Sequence, residues 1–187
     1  MRHSQQSFRL AEVPSRLRVL ELNMAYQFST SFNYLRQHES SGEGCDCVFA
    51  IRGGVGLKYY RCLDIRDRAY RQQRALHRMG LAPACEKRFT EQFPDVTVFG
   101  YETEVIEGIP RSDDFERWED YRVVLDAFRC RYFAQRYELH VRCERAGVTF
   151  GDDNDFNTGF KDDVLLILDT GSSGMVPEKL FIPEDDL

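Results

Sequence analysis

Apolar positions recur at spacings of three and four between Arg122 and Arg145. Val124, Leu125, Phe128, Tyr132 and Leu139 share one stripe, with Gln135 in step. That period predicts a long amphipathic helix, and Gly147 predicts its end. A second helix is predicted over Asp64 to Met79, where Ala69, Leu76 and Met79 are the apolar positions. Asp64 suits its start, and Gly80 with Pro83 its stop. A short helix over Asp113 to Tyr121 could be capped at Ser112 or Asp113. Strands are predicted by alternation in 23–36 and by apolar runs at Cys47 to Arg52 and Val55 to Cys62. Gly53-Gly54 between the last two reads as a hairpin turn. Val96 to Phe99 and Thr103 to Ile106 read as two further strands, Gly108-Ile-Pro as a linker, and Val164 to Leu168 as a buried strand. Phe150 to Gly159 is rich in Asp and Asn and reads as a loop, as does Gly171-Ser-Ser-Gly. Residues 1–20 carry only a weak pattern. Strands thus come first, with one helix among them, followed by helices, an acidic loop and a strand. That order predicts an α+β chain with a sheet-rich part to about residue 108 and a helix-rich part after it.

Composition narrows the class. Of 187 residues, 42% are hydrophobic and 30% charged, which excludes a disordered chain. The longest uninterrupted apolar run is Val164 to Leu168, far short of the roughly 20 residues that span a bilayer. Met1 to Arg18 has no apolar core segment, so no signal peptide is expected, and a cytoplasmic globular protein is. Six cysteines then read as reduced thiols. Cys45 and Cys47 form C-x-C, with no second pair at zinc spacing. The net charge of −6 argues against general nucleic-acid binding. Its distribution is uneven: Arg66, Arg68, Arg71, Arg74 and Arg78 crowd one predicted helix, whereas six aspartates lie between Asp152 and Asp169. Two such stretches suit a charged ligand or a metal between them, or simply two solvated faces.

Five features follow in an order that suits phosphoryl transfer. Gly42 and Gly44 stand in the turn Ser40-Ser-Gly-Glu-Gly-Cys-Asp-Cys-Val48, and such a turn lets backbone N–H groups approach phosphates. Lys58 stands within a strand as a rigidly placed charge for the α- and β-phosphates. Glu102-Thr-Glu-Val-Ile-Glu-Gly108 closes the sheet-rich part. Asp152-Asp-Asn-Asp-Phe-Asn157 supplies an Asp to orient an attacking hydroxyl and an Asn five residues on. Leu166-Ile-Leu-Asp-Thr-Gly171 brings Asp169 at the end of an aliphatic strand. Asn157 and Asp169 are hard oxygen ligands of the kind Mg²⁺ takes. Asp153, Asp155, Asp162 and Asp163 read as solvated loop residues.

The pattern resembles the protein-kinase-like fold, in its small-molecule and atypical branch of aminoglycoside phosphotransferases, choline kinases and RIO-like kinases. Phe150-Gly-Asp-Asp-Asn-Asp-Phe-Asn-Thr-Gly is similar to the branch's H-G-D-x-x-x-x-N loop, and Ile167-Leu-Asp-Thr-Gly to its I-D-F-G. Arg71 to Pro83 looks like its helix and following L-x-P turn, and Phe99 to Gly108 like the strand and hinge that cradle adenine. The resemblance spans about residues 38–172. It implies an α+β, two-lobed fold: an arm over 1–22, an antiparallel-sheet lobe over 23–108 and a shortened helical lobe over 109–187. It implies ATP and Mg²⁺ as cofactors. Lys58 would hold phosphates, with Gly42 and Gly44 covering them. Glu104, Val105 and Ile106 would meet adenine, Asp152 would act as base or orienter, and Asn157 and Asp169 would bind metal.

Three departures stand out. The helix acid that partners the strand lysine falls near Ala69, with Asp64 and Asp67 as neighbours. Phe150 replaces the His of the loop. Thr170 replaces the Phe of D-F-G. The expected partners are a nucleotide and an acceptor, protein or small molecule, with a further chain able to complete the short lobe. Two readings stay open beside an active kinase: a pseudokinase with a regulatory or scaffolding role, and a plain binding module whose basic helix meets an acidic partner.

Overall fold

Gly53 and Gly54 both adopt positive φ, 59° and 82°, as a two-residue hairpin turn with strand-compatible twist requires. They join β1 (Val48–Arg52) to β2 (Val55–Tyr60). The structure, a computed structural model, describes residues 47–93, 96–170 and 174–181. The expected arm, the strand within 23–36, Gly42 and Gly44, most of the 171–174 turn and the C-terminal tail lie outside the described residues.

After β2 the chain forms α1 (Leu63–Arg78), β3 (Cys85–Phe93), β4 (Val96–Thr103), β5 (Glu107–Gly108), α2 (Trp118–Ala146), β6 (Thr158–Lys161) and β7 (Val164–Ile167). The fold is α+β, with two α-helices and two antiparallel sheets among the described residues. One sheet has the order β1-β2-β4-β3, the other β5-β6-β7. Both helices end as predicted, with Gly80 at φ 70° after α1 and Gly147 at φ 69° after α2. The start of α1 differs. Cys62 occupies the cap position and makes no side-chain cap bond, so Asp64 lies inside the first turn. The expected short helix at Asp113 is a single 3-10 turn, Ser112–Asp114, and α2 begins at Trp118.

The expected strand Val96 to Phe99 is longer than predicted and ends at Thr103, whereas the expected strand Thr103 to Ile106 does not form: Glu104 to Ile106 are irregular. β4 runs unbroken through Gly100, because the ring of Phe89 on β3 lies where a Cβ would stand, 2.3 Å from it. β3 itself, Cys-Glu-Lys-Arg-Phe-Thr-Glu-Gln-Phe, is an edge strand with few apolar residues and no buried run. The Asp-rich loop is also shorter than predicted, since Thr158 to Lys161 pair with β7. Asp162 and Asp163 turn that hairpin at positive φ, 48° and 62°, which short polar side chains tolerate best after glycine.

One core joins α1, α2 and the second sheet through Leu76, Leu81, Phe128, Leu139, Phe160 and Ile167. Full burial of a side chain such as Leu139 is worth about 2 kcal/mol. A smaller cluster of Tyr60, Ala69, Tyr70 and Tyr101 seats α1 on the first sheet. α1 therefore belongs to both, and its polar residues reach the segment after β7.

The basic face of α1 is partly spent inside the protein. Buried Arg66 donates to the carbonyls of Phe89 (3.3 Å) and Gly100 (3.1 Å) and pairs with Asp67. The guanidinium groups of Arg74 and Arg88 lie 5.7 and 5.2 Å from the ring of Tyr70.

Candidate functional site

Lys58 is the fourth residue of β2 and points at α1. It is buried, and its Nζ donates to Gln73 Oε1 (2.8 Å), to the carbonyl of Leu168 (2.5 Å) and to Thr170 Oγ1 (3.5 Å). All three acceptors are neutral. Burial pushes the Lys58 ammonium below its ordinary value, against the opposing influence of Cys47, Asp169 and Cys85.

The helix partner of the lysine is therefore an amide, one turn beyond Ala69. Gln73 sits on the buried face of α1 and uses all of its polar capacity. Its Nε2 donates to Thr103 Oγ1 (2.6 Å) and the Pro83 carbonyl (3.1 Å), while its Oε1 also accepts from Tyr101 (3.0 Å) and Thr170 (3.3 Å). Gln72, beside it, donates to the Thr170 carbonyl (3.0 Å) and accepts from the N–H of Val176 (3.2 Å). Two adjacent glutamines on the buried face of a helix were the available sequence signal.

The Asp152–Asn157 loop is ordered by its own amides. Asn157 Nδ2 donates to Asp152 Oδ2 (2.6 Å) and to the Asp152 carbonyl (3.1 Å), and Asn154 Nδ2 donates to Asp152 Oδ1 (2.9 Å). The carbonyl of Asn157 accepts from the N–H groups of Leu168 (2.7 Å) and Asp169 (3.3 Å). A continuous chain of hydrogen bonds thus runs from Lys58 through Leu168 and Asn157 to Asp152. Asp152 and Asp169 are exposed, and Asn157 is half-buried.

Asp153, expected in solvent, is the most enclosed carboxylate of the loop. Its side chain is 5% exposed and accepts from Tyr132 (2.7 Å), Arg136 and His140, at successive turns of α2. Burial opposes its ionisation, but the hydrogen bonds from His140, Arg136 and Tyr132 win and hold it below the usual Asp range. Asp155 pairs with Arg129 (2.7 Å), and Asp163 pairs with Arg131 (3.0 Å). Of the four acids expected to be solvated, Asp153 and Asp155 are enclosed and fasten the loop to α2, whereas Asp163 stays exposed beside Arg131.

Glu104, Val105 and Ile106 follow β4 as irregular chain. The Glu104 N–H donates to the Ala84 carbonyl (2.9 Å), and its carboxylate meets Lys161 Nζ (2.6 Å) and the Ala84 N–H (3.3 Å). Val105 is exposed and Ile106 half-buried. A cleft of about 550 Å³ borders this segment, lined by Gly54, Val55, His77, Ala84, Glu86, Glu102, Thr103, Glu104, Val105 and Lys161. Its walls include none of Lys58, Asp152, Asn157 and Asp169. No cluster of three or more His, Cys, Asp or Glu side chains stands ready to share a metal ion among the described residues. No described helix is long and apolar enough to cross a membrane. No protein-family model matches the chain, and no curated protein matches it.

Proposed function

We propose that the chain is an ATP- and Mg²⁺-dependent phosphotransferase of the protein-kinase-like type, built on two lobes. The observation that carries this reading is the hydrogen-bonded path from Lys58 to Leu168, Asn157 and Asp152. It ties a strand lysine, a D-x-x-x-x-N loop and the residue before Asp169 into one locus, as a phosphoryl-transfer site needs. Oxygen donors suit Mg²⁺: Asp169 supplies a carboxylate, and Asn157 spends its amide N–H on Asp152, leaving its oxygen for a cation. Bound there, the metal would neutralise charge on the transferred group. Lys58 would steady the phosphates, and Asp152 would orient the acceptor hydroxyl and take its proton. Glu104, Val105 and Ile106 would border the base, and Gly42 and Gly44 would cover the phosphates.

Gln73 favours a second reading, a pseudokinase in a regulatory or scaffolding role. A carboxylate at that place forms the ion pair on which kinase phosphate positioning depends, and an amide gives Lys58 a neutral acceptor there instead.

Thermal-shift titration with ATP, with and without Mg²⁺, tests the common premise. Wild type is expected to gain stability with both present, and Asp169→Ala to lose the Mg²⁺-dependent part. An identical gain in that variant removes Asp169 from the metal site, and no gain at all removes the nucleotide. A phosphate-transfer assay then separates the readings. Asp152→Asn is expected to lower turnover by about 10²–10⁴-fold with ATP affinity unchanged; a rate equal to wild type would select the pseudokinase.

A further inference from the structure

α2 carries apolar residues on two opposite sides. Phe128, Tyr132, Leu139 and Cys143 are buried against the rest of the protein. On the far side, Val123, Ala127, Cys130, Ala134, Tyr137 and Val141 follow one another at spacings of four, three, four, three and four. At 3.6 residues per turn this second set lies nearly opposite the first. Val123 is 70% exposed and Tyr137 79%, with Phe133 beside them at 64%. Ala127, Cys130 and Ala134 are exposed, and Val141 is half-buried. A helix that meets only its own core carries one apolar stripe and a polar outer face. A strict alternation of four and three is the narrower seam along which helices pair with one another.

We propose that this seam joins two copies of the chain, with their α2 helices antiparallel about a two-fold axis. A two-fold contact uses one patch twice, so the seam must complement its own reverse. In one register it does. Val123 faces Val141 of the second copy, Ala127 faces Tyr137, and Cys130 faces Ala134, so the largest side chain meets one of the smallest. Phe133 meets its counterpart beside the axis. Charge is mixed along that register: Asp120 lies beside Arg145 of the second copy, and Glu144 lies between Glu119 and Arg122. A parallel pair would instead stack Tyr137 on Tyr137, leave gaps between alanines and bring the acidic helix starts together. The antiparallel pair also opposes the two helix dipoles. This inference stands independently of the nucleotide reading.

Sedimentation of the full chain tests it. At about 100 μM, well above a micromolar Kd, wild type is expected at twice the 21.9 kDa chain mass. Tyr137→Arg is expected at the monomer mass with unchanged helical circular dichroism. The register is read separately by Ala134→Cys, oxidised with diamide. Its new thiol would stand opposite native Cys130, within the Cα range of about 4.4–6.8 Å that a disulfide allows. A covalent dimer is expected, and its loss when Cys130→Ser is added. A monomeric wild type, a dimer indifferent to Tyr137→Arg, or an oxidised Ala134→Cys chain that stays uncrosslinked would each overturn the proposal.

Discussion

Lys58 keeps a positive charge away from water with neutral oxygens as its hydrogen-bond acceptors among the described residues. Such a group costs stability unless its partners are very well placed. Replacement by an unbranched apolar side chain of similar length removes that cost and leaves Gln73 Oε1 bonded to Tyr101 and Thr170. Lys58→Met is therefore expected to hold unfolding free energy within about 1 kcal/mol of wild type, or to raise it. Urea denaturation reads the change. A loss well beyond that would mean that the bond to the Leu168 carbonyl outweighs the cost of burying the amine, and that Lys58 serves the fold. If stability is kept while nucleotide response disappears, the residue is retained for binding. The sequence displayed Lys58 and its strand plainly. It did not display burial of the amine, because burial depends on α1 and the 168–170 segment converging from far along the chain.

At the scale of elements, α2 acts as a post to which the acidic loops are fastened. Asp153 is held by three successive turns of it, and Arg131 reaches both Glu107 on β5 and Asp163 in the β6–β7 turn. Asp153→Asn removes the charge from that clamp while keeping its shape. It is expected to cost about 1–3 kcal/mol at neutral pH, whereas Asp152→Asn, exposed and paired only within its loop, should cost under about 1 kcal/mol. Because the Asp153 carboxyl is held below its ordinary value, its contribution is present above the unfolded Asp range and is lost as pH falls through the folded value. Equal costs for the two variants at neutral pH would refute the clamp. The elements legible in sequence were those with a period or a turn signal: α1, α2, β7 and the Gly53-Gly54 hairpin. β3 and β6 were missed for a shared reason. β3 is a polar edge strand whose pairing supplies what its composition lacks, and β6 begins within a run dominated by Asp and Asn.

For the molecule as a whole, several weak acids are sequestered around the first sheet. Burial pushes the Cys47 thiol up to about 11 and the Cys85 thiol to about 12. Tyr59 is pushed to about 12, and Tyr60 and Tyr101 are raised well above their ordinary value, again chiefly by burial. The unfolded chain releases these protons first, so the folded state binds more of them and stability falls with rising pH. Lys58 has the opposite sign, since its lowered value adds stability as pH climbs toward 10.5. Five groups against one predict a net decline, already under way between pH 9.0 and about 11. Cys47→Ala is expected to reduce the slope there by up to about 1.4 kcal/mol per pH unit. Chemical denaturation at a series of pH values reads it, and a profile that is flat or rises over that interval would contradict the burial of these groups.

The contact between Gly100 and Phe89 also bears on ancestry. With Phe89 ring carbons and the Lys58 carbonyl oxygen crowding the place of the absent Cβ, position 100 cannot change alone, although position 89 can. A lineage that acquires a side chain at position 100 must first, or simultaneously, shrink the aromatic at position 89. The order of change is therefore one-way: a smaller residue at 89 can precede a side chain at 100, never follow it.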